Sequence, residues 1–196
     1  MASVLSMHYS WLDANDLTNE EKERFFAGLH KERFLWAKER GFDERALLSA
    51  VCDHIAKDLS QKFFDTVSPI KRDALGRPFF ENSRLFVSHS HSGTLCISAV
   101  SGVPVGIDIE RIRDIDMRLA KRLCCENEAV NDINELLSLW TLKEAYLKLI
   151  GTGLHGGLKS VSFEFTKAGI ICSDKTVKAQ NILLPGFIGA VCWREE

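Results

Sequence analysis

VGIDIERI, residues 105–112, is a short apolar run that carries two carboxylates. Its β-branched residues favour a β-strand. Because residues two apart in a strand point to the same face, Asp108 and Glu110 are predicted to share one face, while Ile107 and Ile109 share the other. The isoleucine face can pack on a core. The acidic face then holds two like charges about 7 Å apart at most.

These two carboxylates allow two interpretations. Like charges on one face are unfavourable unless water, cations or a bound metal ion offset them. Mg²⁺ prefers a few carboxylates together with water and substrate phosphates, so one interpretation is a magnesium site. The other is a solvated strand end, where Arg111 and Arg113 supply the nearby countercharges.

A second stretch, LWTLKEAYLK at residues 139–148, predicts a largely buried helix. At about 100° per residue, apolar side chains cover most of its circumference. The narrow polar facet that remains holds Thr141, Glu144 and Lys148. Glu144 and Lys148 are four residues apart, in the favoured order for a helical ion pair. The facet therefore indicates either a polar pocket or a plain surface ion pair.

A third stretch, SHSHSG at residues 88–93, is predicted to be a polar loop between strands near 85–87 and 95–100. Its hydroxyl groups, imidazoles and glycine suit anion binding. His89 and His91 could instead be zinc ligands, and a loop with no task is a third interpretation. The turn at Ser101-Gly102 predicts that residues 95–100 and 103–110 form a hairpin.

Composition places the chain among ordinary globular proteins. It has 196 residues, 45% of them hydrophobic and 27% charged, with a formal net charge of −2. A near-neutral chain gives no reason to expect nucleic acid or an acidic membrane as a partner, and no apolar run is long enough for a membrane span. The N-terminus lacks the pattern of a secretory signal. Six cysteines without a Cys-x-x-Cys pair predict free thiols in a reducing cytosol.

The order of predicted elements favours an α+β fold. Thr18 and Glu21 form the pattern of a capping box before a helical region that is interrupted near Gly28. Asp43 is predicted to cap a second helix, and Gly151 to end a third that begins near residue 133. Strands are predicted at 160–165, 169–172, 180–184 and 189–193. Helices and then strands thus occur twice along the chain, which is atypical of a doubly wound parallel sheet.

Together, and in this order, the three stretches resemble the 4′-phosphopantetheinyl transferases of the long, surfactin-synthetase-activating type. GIDIE at 106–110 is similar to that family's Gly-Ile-Asp-x-Glu strand, and WTLKEAYLK at 140–148 to its Trp-x-x-Lys-Glu helix. Looser similarities are SHS at 88–90, LGRP at 75–78, ERALL at 44–48 and GTGL at 151–154. The resemblance runs from about residue 17 to 165.

The resemblance implies a fold and an activity. The expected fold is two similar α+β halves, residues 1–102 and 103–196, which form a pseudo-dimer with the active site in the cleft between them. The expected enzyme is a cytoplasmic monomer that uses Mg²⁺. It transfers the 4′-phosphopantetheine arm of coenzyme A to a serine hydroxyl of an apo acyl or peptidyl carrier protein and releases 3′,5′-ADP.

The resemblance also implies roles for individual residues. Asp108, Glu110 and Glu144 are the expected Mg²⁺ ligands, and Glu144 is also the expected acceptor of the serine proton. Lys148 is expected to stabilise the leaving pyrophosphate oxygens. The expected contacts of coenzyme A are Arg45, Arg77, Ser88, His89, Lys148 and Lys31, and His89 is expected to meet the adenosine 3′-phosphate.

Two alternatives stay open at this point. A zinc-dependent hydrolase could use His89, His91 and Asp108, but it leaves the facet of Glu144 and Lys148 unexplained. A non-catalytic relative that only binds carrier proteins would be expected to lack a metal ligand, and all three carboxylates are present in this sequence.

Overall fold

The computed structural model describes residues 7–194, apart from the side chains of residues 154 and 155. The N-terminal residues 1–6 and the side chain of Leu154, both considered above, therefore lie outside the described part. The chain divides into two compact units, Met1–Gly102 and Val103–Glu196, each with its own helices and sheets. No helix in the described range is long and apolar enough to span a membrane.

The helices of the first unit begin at the caps that the sequence predicts. They are α1 (Asn19–Ala27), α2 (Lys31–Glu39) and α3 (Glu44–Phe64). Thr18 Oγ1 accepts the Glu21 amide at 3.2 Å while Glu21 accepts the Thr18 amide at 2.8 Å, which completes the capping box. Asp43 caps α3 by accepting the amide of Ala46.

The first unit has a three-stranded sheet covered on one face by α3. Its strands are β1 (Met7–Asp13), β2 (Ile70–Arg72), β3 (Pro78–Phe80), β4 (Phe86–Ser92) and β5 (Leu95–Ser101). The main sheet is antiparallel, in the order β1-β5-β4, and β2 and β3 form a separate hairpin. Val51, Ile55 and Val100 belong to the core of this unit, and Ser98 Oγ donates to the Cys52 carbonyl at 2.8 Å.

The second unit repeats this combination of elements. It contains β6 (Val105–Arg111), α4 (Ala120–Leu123), α5 (Ile133–Ile150), β7 (Phe163–Thr166), β8 (Gly169–Cys172), β9 (Val177–Leu184) and β10 (Phe187–Arg194). The main sheet is again antiparallel, in the order β6-β10-β9, and β7 and β8 form a hairpin. Asp132 caps α5, which ends at Gly151 in the left-handed conformation.

Two predictions about strands are wrong. SHSHS at 88–92 is part of β4 and not a loop, because its backbone pairs with β5 and Ser88 and Ser90 are buried. Residues 95–100 and 103–110 do not form a hairpin, because both edges of β5 are taken by β1 and β4, whereas β6 pairs with β10. Strand β1 was not predicted.

Gly106 permits the close contact between β6 and α5. A Cβ atom at this position would lie 2.0 Å from the Ala145 carbonyl oxygen and 2.6 Å from the Leu149 nitrogen, and neither backbone atom can move aside without shifting the helix. We therefore expect Gly106→Ala to lower the free energy of unfolding by about 3 kcal/mol, as measured by urea denaturation. Gly102→Ala, where a Cβ would meet nothing within 4 Å, is the control. Equal losses in the two variants would contradict the proposed clash.

Candidate active site

Strand β6 presents its two carboxylates on the side that faces α5. Gly106 contacts the α5 backbone, and Asp108 and Glu110 follow it at intervals of two, so the three residues share that face. Asp108 is buried. Ile107 and Ile109 lie on the opposite face and are also buried. The division of faces that the sequence predicts is therefore present.

Both carboxylates of β6 are paired with cations. Lys148 Nζ, on α5, donates to Asp108 Oδ1 at 2.7 Å and to the Ile107 carbonyl at 3.0 Å. Arg113 Nη1 donates to Glu110 Oε2 at 2.9 Å, as the solvated-strand interpretation predicts for this arginine. The negative charge of this face is thus matched by cations within the second unit.

Glu144 brings a third carboxylate to the same place. Burial raises its pKa, the charges of Asp108 and Glu110 raise it further, and Lys148 opposes them. The charges of Asp108, Glu110 and Lys148 therefore act on Glu144, which lies on α5 where that helix packs against β6. The Oε1 atom of Glu144 is buried and has no hydrogen-bond partner in the described part of the chain. A buried carboxylate oxygen without a hydrogen-bond partner is energetically unfavourable, and a bound ligand would remove that cost.

The three carboxylates fit a hard divalent cation. Among the described residues, no three His, Cys, Asp or Glu side chains already form a metal-binding group. In this structure Lys148 pairs with Asp108 and Arg113 with Glu110. The Lys148 and Arg113 side chains are 30% and 54% exposed. Asp108, Glu110 and Glu144 offer the oxygen donors that Mg²⁺ prefers.

In the first unit, Ser88 and His89 lie on β4 beside α3. Ser88 is buried, and the His89 side chain is only 10% exposed. His89 Nε2 lies 3.1 Å from Oδ1 of Asp53, a residue of α3. Burial lowers the pKa of His89, and the contact with Asp53 opposes that effect. His91, which the zinc interpretation would use, is exposed on the same strand.

The remaining predicted contacts of coenzyme A also belong to the first unit. Arg45 is exposed at the start of α3, and its charge lowers the pKa of Arg33, after burial and the charge of Arg72. Lys31 is exposed at the first residue of α2. Arg77 lies in the turn between β2 and β3, where its Nε donates to Asp73 Oδ2 at 2.6 Å.

The sequence did not identify the partners of His89. Asp53 and Arg72 were not predicted as site residues, although Arg72 donates to Asp53 at 2.6 Å beside His89. One signal could have pointed to Asp53. Polar Arg45, Ser49 and Asp53 recur every fourth residue along a helix that is otherwise rich in apolar side chains, and such spacing places them on one stripe.

Comparison with known proteins points to one superfamily. Residues 104–191 match the sequence model of the 4′-phosphopantetheinyl transferase superfamily. Sequence relatives include the 4′-phosphopantetheinyl transferases gsp of Aneurinibacillus migulanus, 37% identical over 94 residues, and psf-1 of Bacillus pumilus, 36% identical over 88 residues. The 4′-phosphopantetheinyl transferase Sfp of Bacillus subtilis is 27% identical over 198 residues.

The extent of these matches differs. The alignments with the Aneurinibacillus and Bacillus pumilus proteins cover 43% and 41% of this chain, and the chain spans only 39% and 38% of their lengths. The alignment with the Bacillus subtilis protein covers 90% of this chain and 87% of the relative. The family-model match contains β6 and α5, and with them Asp108, Glu110, Glu144 and Lys148, which are together called the carboxylate site below.

Proposed function

We propose that this chain, which belongs to the 4′-phosphopantetheinyl transferase superfamily, transfers the 4′-phosphopantetheine arm of coenzyme A to a serine hydroxyl of an apo acyl or peptidyl carrier protein. The other product is 3′,5′-ADP. The observation that carries the proposal is the meeting of Asp108, Glu110 and Glu144 on β6 and α5, inside the stretch that matches the superfamily.

The three carboxylates are proposed to hold Mg²⁺. When bound, this ion supplies positive charge to offset the phosphate oxygens of coenzyme A. Two features of the protein support the assignment. Glu144 Oε1 lacks a hydrogen-bond partner among the described residues, and the carboxylates lie on packed elements whose backbones are in contact at Gly106.

Glu144 is proposed to take the proton from the carrier serine. The serine oxygen forms a bond to the pyrophosphate phosphorus nearest pantetheine, and the bond from that phosphorus to the oxygen of the departing 3′,5′-ADP breaks. A base works best when its pKa approaches the working pH. In the protein without a bound cation, burial and the charge of Asp108 raise the pKa of Glu144.

Lys148 is proposed to stabilise the departing phosphate. Its ammonium group is a compact charge on a flexible stem, and it already lies 2.7 Å from Asp108 Oδ1 in the carboxylate site. A cation at this position can offset the charge that grows on the leaving oxygen as the bond breaks.

In the first unit, we propose that Arg45, Arg77, Ser88, His89 and Lys31 contact coenzyme A, with His89 at the 3′-phosphate. The cationic side chains suit a ligand that carries several phosphate groups. Ser88 directly precedes His89 on β4, so the two side chains point to opposite faces of that strand.

We also propose the pseudo-dimeric arrangement, with the active site in the cleft between the halves. Each unit, taken by itself, has a long helix on a three-stranded antiparallel sheet and an additional two-stranded hairpin, which supports descent from a repeated unit. One chain would then supply both halves of a site as a monomer. The six cysteines are free thiols, which fits the proposed cytoplasmic location.

Intact-mass spectrometry tests the proposed reaction directly. The protein is incubated with coenzyme A, Mg²⁺ and an apo carrier protein, and each carrier should gain the mass of one phosphopantetheine group. A carrier whose acceptor serine is replaced by alanine is the control and should gain nothing. Absence of the mass gain on a panel of apo acyl and peptidyl carriers would refute the proposal.

A further inference from the structure

Asp53 is a buried carboxylate at the centre of a group of cations in the first unit. Its side chain is 3% exposed. One oxygen, Oδ1, accepts from Arg72 Nη2 at 2.6 Å and lies 3.1 Å from His89 Nε2. Burial alone would raise the pKa of Asp53, but the contacts with His89 and Arg72 lower it overall. Asp53 is therefore an anion held between the guanidinium of Arg72 and the imidazole of His89.

Further cations surround this carboxylate. Arg33, on α2, donates to Ser49 Oγ at 2.6 Å, and Arg72 approaches the same oxygen at 3.4 Å. The charge of Asp53 acts on Arg33 and on Lys57, since it opposes the lowering of the pKa of each by burial. Arg33, Lys57 and Arg72 thus outnumber Asp53 in this group, and such a local excess of positive charge favours an anionic ligand.

The orientation of His89 limits how it can bind an anion. Because Asp53 is ionised, His89 Nε2 must carry a hydrogen and donate it to Oδ1. A phosphate oxygen can then accept a hydrogen bond from this ring only at Nδ1. Donation from both nitrogens requires the imidazolium form, and a carboxylate in contact with Nε2 stabilises that form.

We propose that Asp53 is a positioning residue that fixes the ring of His89 and supports its imidazolium form for the 3′-phosphate of coenzyme A. This inference rests on the proposed function, which places His89 at that phosphate. Arg72 has a different role: it offsets the charge of Asp53 and allows this carboxylate to stay ionised while it is buried.

Asp53→Asn removes the negative charge but can still hold the His89 ring in place, because the amide oxygen can accept a hydrogen bond from His89 Nε2. The probes are 3′,5′-ADP and 5′-AMP, which differ only in the 3′-phosphate, with affinities measured by titration calorimetry. We expect the variant to bind 3′,5′-ADP about tenfold more weakly and 5′-AMP with unchanged affinity. In transfer assays, KM for coenzyme A should rise by a similar factor while kcat changes less than about twofold.

Two further variants make the test specific. Asp58→Asn, at an exposed acid of the same helix that pairs with His54, is the matched control and should change neither affinity. In a His89→Ala background, Asp53→Asn should have less than about a twofold additional effect on binding of 3′,5′-ADP. An undiminished effect in that background, or an equal loss for both nucleotides, would overturn the inference. If Asp53→Asn does not fold, His89→Ala alone must show the selective loss.

The outcomes also separate this inference from the proposed reaction. If the unmodified protein labels no carrier but Asp53→Asn selectively weakens binding of 3′,5′-ADP, the transfer reaction is wrong and the role of Asp53 stands. If carriers are labelled and Asp53→Asn keeps the full preference for 3′,5′-ADP, the role of Asp53 is wrong and the transfer reaction stands.

Discussion

Glu144→Gln is expected to lower the rate of transfer about 1,000-fold or more. The substitution keeps the shape of the side chain but removes a proposed Mg²⁺ ligand and the proposed acceptor of the serine proton in one change. The amide cannot take a proton at neutral pH and is a weaker ligand for a hard cation. The rate is measured as the appearance of phosphopantetheinylated carrier by intact mass, at saturating coenzyme A.

The stability of the same variant provides an independent check. In the folded protein, burial and neighbouring charges raise the pKa of Glu144 above its usual value of 4.5. The ionised carboxylate therefore destabilises the fold above the raised pKa, and this effect disappears as the pH falls below 4.5. Without Mg²⁺, Glu144→Gln should unfold at the same temperature as the unmodified protein or higher at pH 8, and the difference should shrink as the pH is lowered.

A matched control is Glu164→Gln, at an exposed glutamate of β7 outside the carboxylate site. It should retain both the transfer rate and the stability of the unmodified protein. Near-normal turnover by Glu144→Gln would show that neither the metal nor the proton role belongs to this residue. A large loss of stability would instead show that its carboxylate is needed for folding.

The sequence predicted the helices well because their signals are local. Thr18, Asp43 and Gly151 each act within about four residues of the helix end that they define, so a short window contains the whole cause. Strand pairing is not local. The pairing of β1 with β5 joins residues that are more than 80 positions apart. The residues SHSHS at 88–92 do not by themselves indicate that their backbone pairs with β5.

The faces on which the four residues of the candidate carboxylate site lie were predictable for a similar reason. The period-two spacing of Asp108 and Glu110 and the four-residue spacing of Glu144 and Lys148 assign each pair to one face. The sequence cannot show that Lys148 Nζ reaches Asp108, because that contact depends on how α5 packs on β6. The contact of His89 with Asp53 likewise joins residues 36 positions apart.

Lys143 forms a buried ion pair that the spacing of residues along α5 did not predict. It was not assigned to the polar facet of its helix, and its charge gives no sign that it is buried. In the structure its side chain is fully buried, and Nζ donates to Glu128 Oε2 at 2.6 Å and to the Val161 carbonyl at 2.9 Å. Glu128, also buried, accepts the amides of Cys125 and Phe163, both at 2.7 Å. This pair therefore connects α5 to two separate segments of the second unit.

Lys143→Met is expected to lower the free energy of unfolding by about 3–5 kcal/mol, because it leaves Glu128 buried without its counter-ion. Urea denaturation followed by circular dichroism measures the loss. Lys121→Met, at an exposed lysine of α4, is the control and should change the free energy by less than about 0.5 kcal/mol. A loss below about 1 kcal/mol for Lys143→Met would contradict the importance of the pair.

A second substitution tests whether the unpaired charge is the cause. Glu128→Gln combined with Lys143→Met removes that charge and keeps an amide oxygen that can accept from Cys125 or Phe163, so the double variant should recover part of the lost stability. A stable double variant would also allow a test of whether the ion pair sets the position of Glu144 in the candidate active site. Glu144 follows Lys143 directly on α5, so a double variant that is stable but inactive would indicate that the ion pair sets the place of the Glu144 carboxylate. A stable and active double variant would limit the pair to a folding role.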